Sequence, residues 1–252
     1  MRLAIFAAWA ACSIVAPASA ATTLSSVSAD FSDPVGGNSS FYHYLDTDGR
    51  PGSEEIRWGD PGSPNRVDRQ SGLRFSYAPA QAIVQGTPFT LGTLTYYNNP
   101  VLDAINAVSF SVSPGLTVDG APLATGPFTF LISVDETPNQ NNPATCPYPS
   151  NIGCSDKISI KTGAATQVFQ LGDQTLTLYI DGFLDAQLVP QSSFIAQEQE
   201  STTATLVAHF DLASPVPEPA SWAMLVAGFG ILGGAMRRSG SRIRFKTVRS
   251  PV

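Results

Sequence analysis

Glu54-Glu55, Asp135-Glu136 and Asp181 are the carboxylates from which a glycoside hydrolase would draw its acid and its base or nucleophile. Such a pair is defined by a separation in space, which adjacency in sequence does not set. Asp46-Thr47-Asp48-Gly49 opens like a calcium loop but lacks the third acidic ligand and the glutamate at the twelfth loop position, so an Asx-type turn accounts for it with fewer assumptions. His43 and His209 are the only histidines. They stand far apart, and His209 alternates with Thr205 and Val207 as a structural histidine in a strand would. No G-x-S-x-G, H-E-x-x-H or phosphate loop occurs, so neither an enzyme nor a cofactor or metal requirement is expected. The aromatic residues Tyr42, Tyr44, Trp58, Tyr77, Tyr96, Tyr97 and Tyr148 could stack on sugar rings. Trp58, beside Gly59-Asp60-Pro61-Gly62, is the one chosen as a glycan contact, core packing being the commoner fate of the rest.

These side chains must be carried by strands. Val108, Phe110 and Val112 alternate with serines; Phe128, Phe130, Ile132 and Val134 form a second such row, and Leu176, Leu178 and Ile180 a third. Weaker strands are read at 73–77, 89–96, 157–161, 168–171 and 204–212, with turns at Asp60-Pro61-Gly62, Pro114-Gly115, Asp119-Gly120 and Leu171-Gly172-Asp173. No body segment keeps a helical period; 194–204 comes nearest, and its threonines argue against it. The expected fold is all-β, an antiparallel β-sandwich of jelly-roll or lectin-like type.

The two ends of the 252-residue chain differ from its middle. Arg2, the apolar run Leu3 to Val15, Pro17 and the small residues Ala18-Ser19-Ala20 make a secretory signal cleaved after Ala20, which would take the chain through the Sec translocon. Cys12 follows Trp9, too large for the start of a lipobox, and goes with the leader. At the far end Val216-Pro217-Glu218-Pro219 precedes an uncharged run, 220–236, and then Arg237 and Arg238. As a helix that run reaches about 26 Å, near the short limit for a bilayer core, and the expectation is a single transmembrane helix with the arginines as its cytoplasmic stop. A simple tail anchor or a glycine-rich core helix are the alternatives. Seven of the 14 basic residues lie in these ends, so the body between Ala21 and Val216 holds seven cations against 19 acids, a net of −12. Such a body repels phosphate backbones, which disfavours nucleic acid as a partner. Cys146 and Cys154, in one proline-rich loop, read as a disulfide in an oxidising compartment, contributing about 2 to 3 kcal/mol.

The spelling Val-Pro-Glu-Pro-Ala-Ser-Trp-Ala-Met-Leu, then Gly-Phe-Gly, then Met-Arg-Arg, closely resembles the PEP-CTERM sorting signal of Gram-negative, exopolysaccharide-producing bacteria. The resemblance implies an exosortase as processing partner, with Pro217, Glu218 and Pro219 as recognition residues of a substrate. The body resembles the choice-of-anchor K, or THxN, family, through Ser71-Gly72-Leu73, the run from Leu91 to Pro100, Asp135 to Asn139, the cysteine loop closing on Asp156, and Tyr179-Ile180-Asp181-Gly182-Phe183. Where that family has Thr-His-x-Asn this chain has Thr95-Tyr96-Tyr97-Asn98, which favours a structural role for the position.

The expected layout is a signal peptide at 1–20, an extracellular β-domain at 21–214, a sorting segment at 215–240 and a basic cytoplasmic tail at 241–252. The expected protein is exported through an inner-membrane intermediate to the cell surface or matrix, non-catalytic and associated with exopolysaccharide. A carbohydrate-binding module is the alternative, and a carboxylate glycosidase a more distant one.

Overall fold

The computed structural model describes residues 21–45, 52–63, 66–140, 142–161, 166–184, 190–213 and 219–239. Two units are distinguished, Met1–Phe169 with Leu176–Leu212, and Gln170–Thr175 with Ala213–Val252.

The strands of the first unit run in chain order as β1 (Thr22–Gly36), β2 (His43–Tyr44), β3 (Ser53–Trp58), β4 (Ser71–Tyr77), β5 (Gln81–Ile83), β6 (Phe89–Tyr97), β7 (Ile105–Val118), β8 (Ala121–Ala124), β9 (Phe128–Asp135) and β10 (Asp156–Lys161). There follow β11 (Thr166–Leu171), β12 (Gln174–Leu184), β13 (Pro190–Gln191), β14 (Ser193–Ala196) and β15 (Ser201–Ala213), whose outermost residues belong to the second unit. They form two sheets. One has the order β14-β10-β9-β7-β1-β5 with β8 beside β7; the other has the order β11-β12-β15-β6-β4-β3-β2 with β13 beside β12. The fold is all-β, as its alternating sequences require.

The rows of period two face inward. Val108, Phe110 and Val112 are buried, as are Phe128, Phe130, Ile132 and Val134 on β9 and Leu176, Leu178 and Ile180 on β12. Phe110 of the first sheet meets Phe75 of the second edge to face, 5.0 Å between ring centres, and also packs on Phe31 at 5.1 Å, so one aromatic cluster joins the sheets. The opposite face of the second sheet carries a charge network. Glu55 takes Arg57 at 2.5 Å and Arg74 at 2.6 Å, and the Arg57 guanidinium lies 3.7 Å over the Tyr97 ring.

Two local expectations need correction. Pro114-Gly115 is not a turn but the middle of β7, where Gly115 faces Ser26 across a shift in the β1–β7 register between Leu24 and Ser26. A Cβ on Gly115 would come within 2.4 Å of Ser26 Oγ, so the glycine allows a close approach of strands there. The true reversal is Asp119-Gly120, both at positive φ, which pairs Val118 with Ala121.

The second correction concerns the C-terminal segment. Pro219–Ser239 forms one α-helix, α1, and the expected transmembrane helix over 220–236 is not upheld: among the described residues no helix is long and apolar enough to cross a membrane. The uncharged stretch between Pro219 and Arg237 measures about 26 Å as a helix against roughly 30 Å of hydrocarbon. It is further diluted by Gly228, Gly230, Gly233 and Gly234.

Candidate functional site

The side chains that the fold brings together in its interior are Tyr96, Glu136, Asp156 and Glu198. Tyr96 is the last inward position of β6, Glu136 follows β9, Asp156 opens β10 and Glu198 lies in the turn before β15. The antiparallel pairing of β9 with β10 sets Lys157 opposite Asp135, and so places the carboxyls of Glu136 and Asp156 on the same end of the sheet. From the facing sheet, the fully buried Tyr96 brings its hydroxyl to 3.0 Å from Glu136 Oε2 and 2.9 Å from Asp156 Oδ2. The Thr137 backbone N–H donates to Asp156 Oδ1 at 2.8 Å, and the Thr137 hydroxyl meets the Cys154 carbonyl at 3.1 Å. With its amide nitrogen turned to the carboxylate, Asn139 donates to Glu198 Oε2 at 2.8 Å and Oε1 at 3.1 Å.

Burial pushes the Glu136 carboxyl up to about 8, and the charge of Asp156 adds to the push. Asp156 is raised by burial too, opposed by the donors of Thr137 and Tyr96. Glu198 rises to about 7, from burial first and then from Asp156. The Tyr96 hydroxyl is driven well above its ordinary value, chiefly by burial. Burial thus favours a protonated Glu136 at neutral pH, while Asp156 accepts from Thr137 and Tyr96.

Asp156 and Tyr96 present no surface to solvent, so the pair is closed to a substrate as it stands. The remaining carboxylates offered by the sequence are also engaged. Glu54 accepts from the Tyr77 hydroxyl at 2.9 Å, Glu55 holds two arginines, Asp135 accepts from Tyr148, and Asp181 binds His209 Nδ1 at 2.7 Å beneath a parallel stack of His209 on Tyr179. Among the described residues no group of three or more His, Cys, Asp or Glu side chains is disposed to hold a metal ion. Asp46 and Asp48 lie outside the described residues.

Trp58 is corrected outright as a glycan contact. It is 0% exposed and packs against Tyr96, 6.0 Å between ring centres, so neither face is open to a sugar. Gly59, at φ 84°, turns the chain immediately after it, and a Cβ there would clash with the Val101 side chain. Cys146 and Cys154 are joined as a disulfide, Cα atoms 5.2 Å apart, and the loop it closes ends one residue before Ser155 and two before Asp156. The network was partly beyond sequence reasoning. Asp156 stands at the end of the cysteine loop, but Glu198 carried no signal in the sequence; the structure places it beside Gln199, a non-glycine residue at positive φ.

At the other end of the chain, α1 exposes Met224, Leu225, Val226, Phe229, Ile231, Leu232 and Met236, an apolar surface on every side of one helix. Arg237 is exposed at its end. The signal cleavage residues Ala18 and Ala20, and Pro217 and Glu218, lie outside the described residues; Pro219 opens the helix, and Arg238 falls in its last turn. Residues 215–239 match the PEP-CTERM protein-sorting motif. The chain thus carries a sorting signal near its C-terminus, consistent with exosortase-dependent sorting of a secreted or surface protein. The PEP-CTERM match coincides with α1 and leaves the β-body unassigned. No curated protein matches the chain.

Proposed function

We propose that this chain is the substrate of an exosortase-type sorting system, exported by the Sec translocon and delivered to the cell surface or its exopolysaccharide matrix, where the body acts without catalysis. The match of residues 215–239 to the PEP-CTERM motif carries this reading. On it, residues 1–20 are removed as a signal peptide, 21–214 form a lectin-like sandwich of the choice-of-anchor K kind, 215–240 are the sorting segment and 241–252 a basic tail. Pro217, Glu218 and Pro219 are then the residues the exosortase reads. The disulfide supports an oxidising destination. The carboxylates engaged by arginine, tyrosine and histidine support a non-catalytic body.

The test is the intact mass of the protein recovered from surface, medium and cell fractions of its native host. The wild type is expected to begin at Ala21 and to have lost the residues beyond the Pro-Glu-Pro motif. Pro217→Ala combined with Glu218→Ala is expected to leave the C-terminal residues in place and to deplete the surface fraction. Processing that proceeds unchanged in the double variant would overturn the proposal.

A further inference from the structure

We propose that a cleft on both sides of Pro61 binds an acidic polysaccharide, with carboxylated sugar units as the recognised groups. The proposal rests on the reading of an exported, matrix-associated body and names what that body holds.

One half of the cleft is a cavity of about 240 Å³ lined by Ser40, Phe41, His43, Pro61, Arg66 and Gln70 among others. The other half is a cavity of about 380 Å³ lined by Pro61, Arg69, Asn99, Pro100 and Gln199. Pro61 belongs to both, and their floors are tied together, because Asn99 Nδ2 donates to the Gln70 carbonyl at 2.9 Å. The two cavities thus flank one residue, are linked through a hydrogen bond between their linings, and are taken as successive subsites for linked sugar rings.

The lining matches such a ligand group by group. Phe41, Pro61 and Pro100 give apolar surface for the C–H faces of pyranose rings. Ser40, His43, Asn99 and Gln199 give donors and acceptors for hydroxyls. Gln70 is 2% exposed and fixed, its amide nitrogen donating to Phe41 O at 2.8 Å and Gly59 O at 2.9 Å, while its Oε1 has no partner among the described residues. A buried amide so held is a preformed element rather than a loose surface group.

Charge decides the class. The body is net acidic, and of its seven cations Arg57 and Arg74 are held inside by Glu55. Arg66 and Arg69 come instead from one short turn, Val67–Arg69 and the residue before it, and each lines one half of the cleft. Arg66 is forked by Asp68 at 2.8 and 2.6 Å, an exposed ion pair that a ligand carboxylate can replace at little cost. A guanidinium in each cavity of a negative body selects anionic units that recur along a chain.

The experiment is calorimetric titration of the full-length chain with tetragalacturonate and with its fully methyl-esterified, neutral counterpart, at about 50 and about 300 mM salt. Binding of the acidic tetrasaccharide is expected, weaker at the higher salt, and weaker by about tenfold or more for the neutral one. Arg66→Ala with Arg69→Ala is expected to lower affinity for tetragalacturonate by about tenfold or more with the melting midpoint kept, since both side chains are exposed. Equal affinity for the neutral tetrasaccharide, undiminished binding by the double variant, absence of binding, or displacement by acetate at matched carboxylate concentration would each overturn the proposal. C-terminal processing is read separately by mass, so failure of the cleft leaves the sorting reading intact and failure of sorting leaves the titration valid.

Discussion

Tyr96 holds apart two carboxyls that would otherwise repel each other in a medium too dry to screen them. Its single hydroxyl hydrogen serves the two acceptors at 2.9 and 3.0 Å, and burial favours a proton on Glu136. Removing the hydroxyl leaves the ring packing on Trp58 but takes a donor from a buried site. Tyr96→Phe is accordingly expected to cost about 1 to 3 kcal/mol in urea unfolding, the penalty of an unsatisfied buried polar group. A cost near zero would mean that water replaces the hydroxyl. The sequence made the structural role of this position readable through Tyr96 itself, but not its partners, because Glu136, Asp156 and Glu198 converge only when β6 faces the β9–β10 end of the other sheet. Trp58 misled for a related reason. Its glycine- and proline-rich neighbours resemble an exposed loop, whereas Trp58 is the last residue of β3 and its side chain packs inward on Tyr96.

Among the elements, those with strict alternation were legible: the inward rows of β7, β9 and β12 are the rows that the sequence spells. The long β1 was not. Its buried residues Leu24 and Val27 are three apart, because a shift in its pairing with β7 between Leu24 and Ser26 breaks the period of two that Val27 and Phe31 then resume. β3 was hidden differently: Ile56 and Trp58 face the core, while Glu55 and Arg57 between them are buried on the opposite face by pairing with each other and by Tyr97. The loop from Cys146 to Cys154 is the element on which the carboxyl network depends, through the Cys154 carbonyl and the Thr137 hydroxyl. Replacing both cysteines by serine is expected to lower stability by about 2 to 3 kcal/mol in chemical denaturation. Faster hydrogen exchange at 137–156 than in β7 should accompany it. Uniform acceleration across both sheets would instead mean that the loop is part of the global folding unit.

For the whole molecule, the raised carboxyls make stability a function of pH with a definite sign. Glu136 and Glu198 bind protons in the folded state at pH values where the unfolded chain has released them. Their contribution is thus full below about 4.5, and it is lost as pH rises through about 7 for Glu198 and about 8 for Glu136. The melting midpoint is expected to fall by about 5 °C or more between about pH 5 and about pH 9, and Glu136→Gln should flatten that fall. A midpoint that rises over the same interval would show that the carboxyls are ionised throughout. The composition indicated the acidity of the body but not this inversion, in which the acidic groups that matter most are those that stay neutral.

The order of strands bears on when this protein can fold at all. β1, the first strand of the body, lies between β5 and β7, and its longest partner begins at Ile105; β15, the last, lies between β6 and β12. One sheet cannot assemble around its first strand until half the chain exists, and the other stays open in its middle until residue 213. Closing such distant pairs is entropically slow. A polypeptide emerging from the ribosome therefore leaves both sheets incomplete through much of its synthesis, a kinetic property written into topology rather than into any motif.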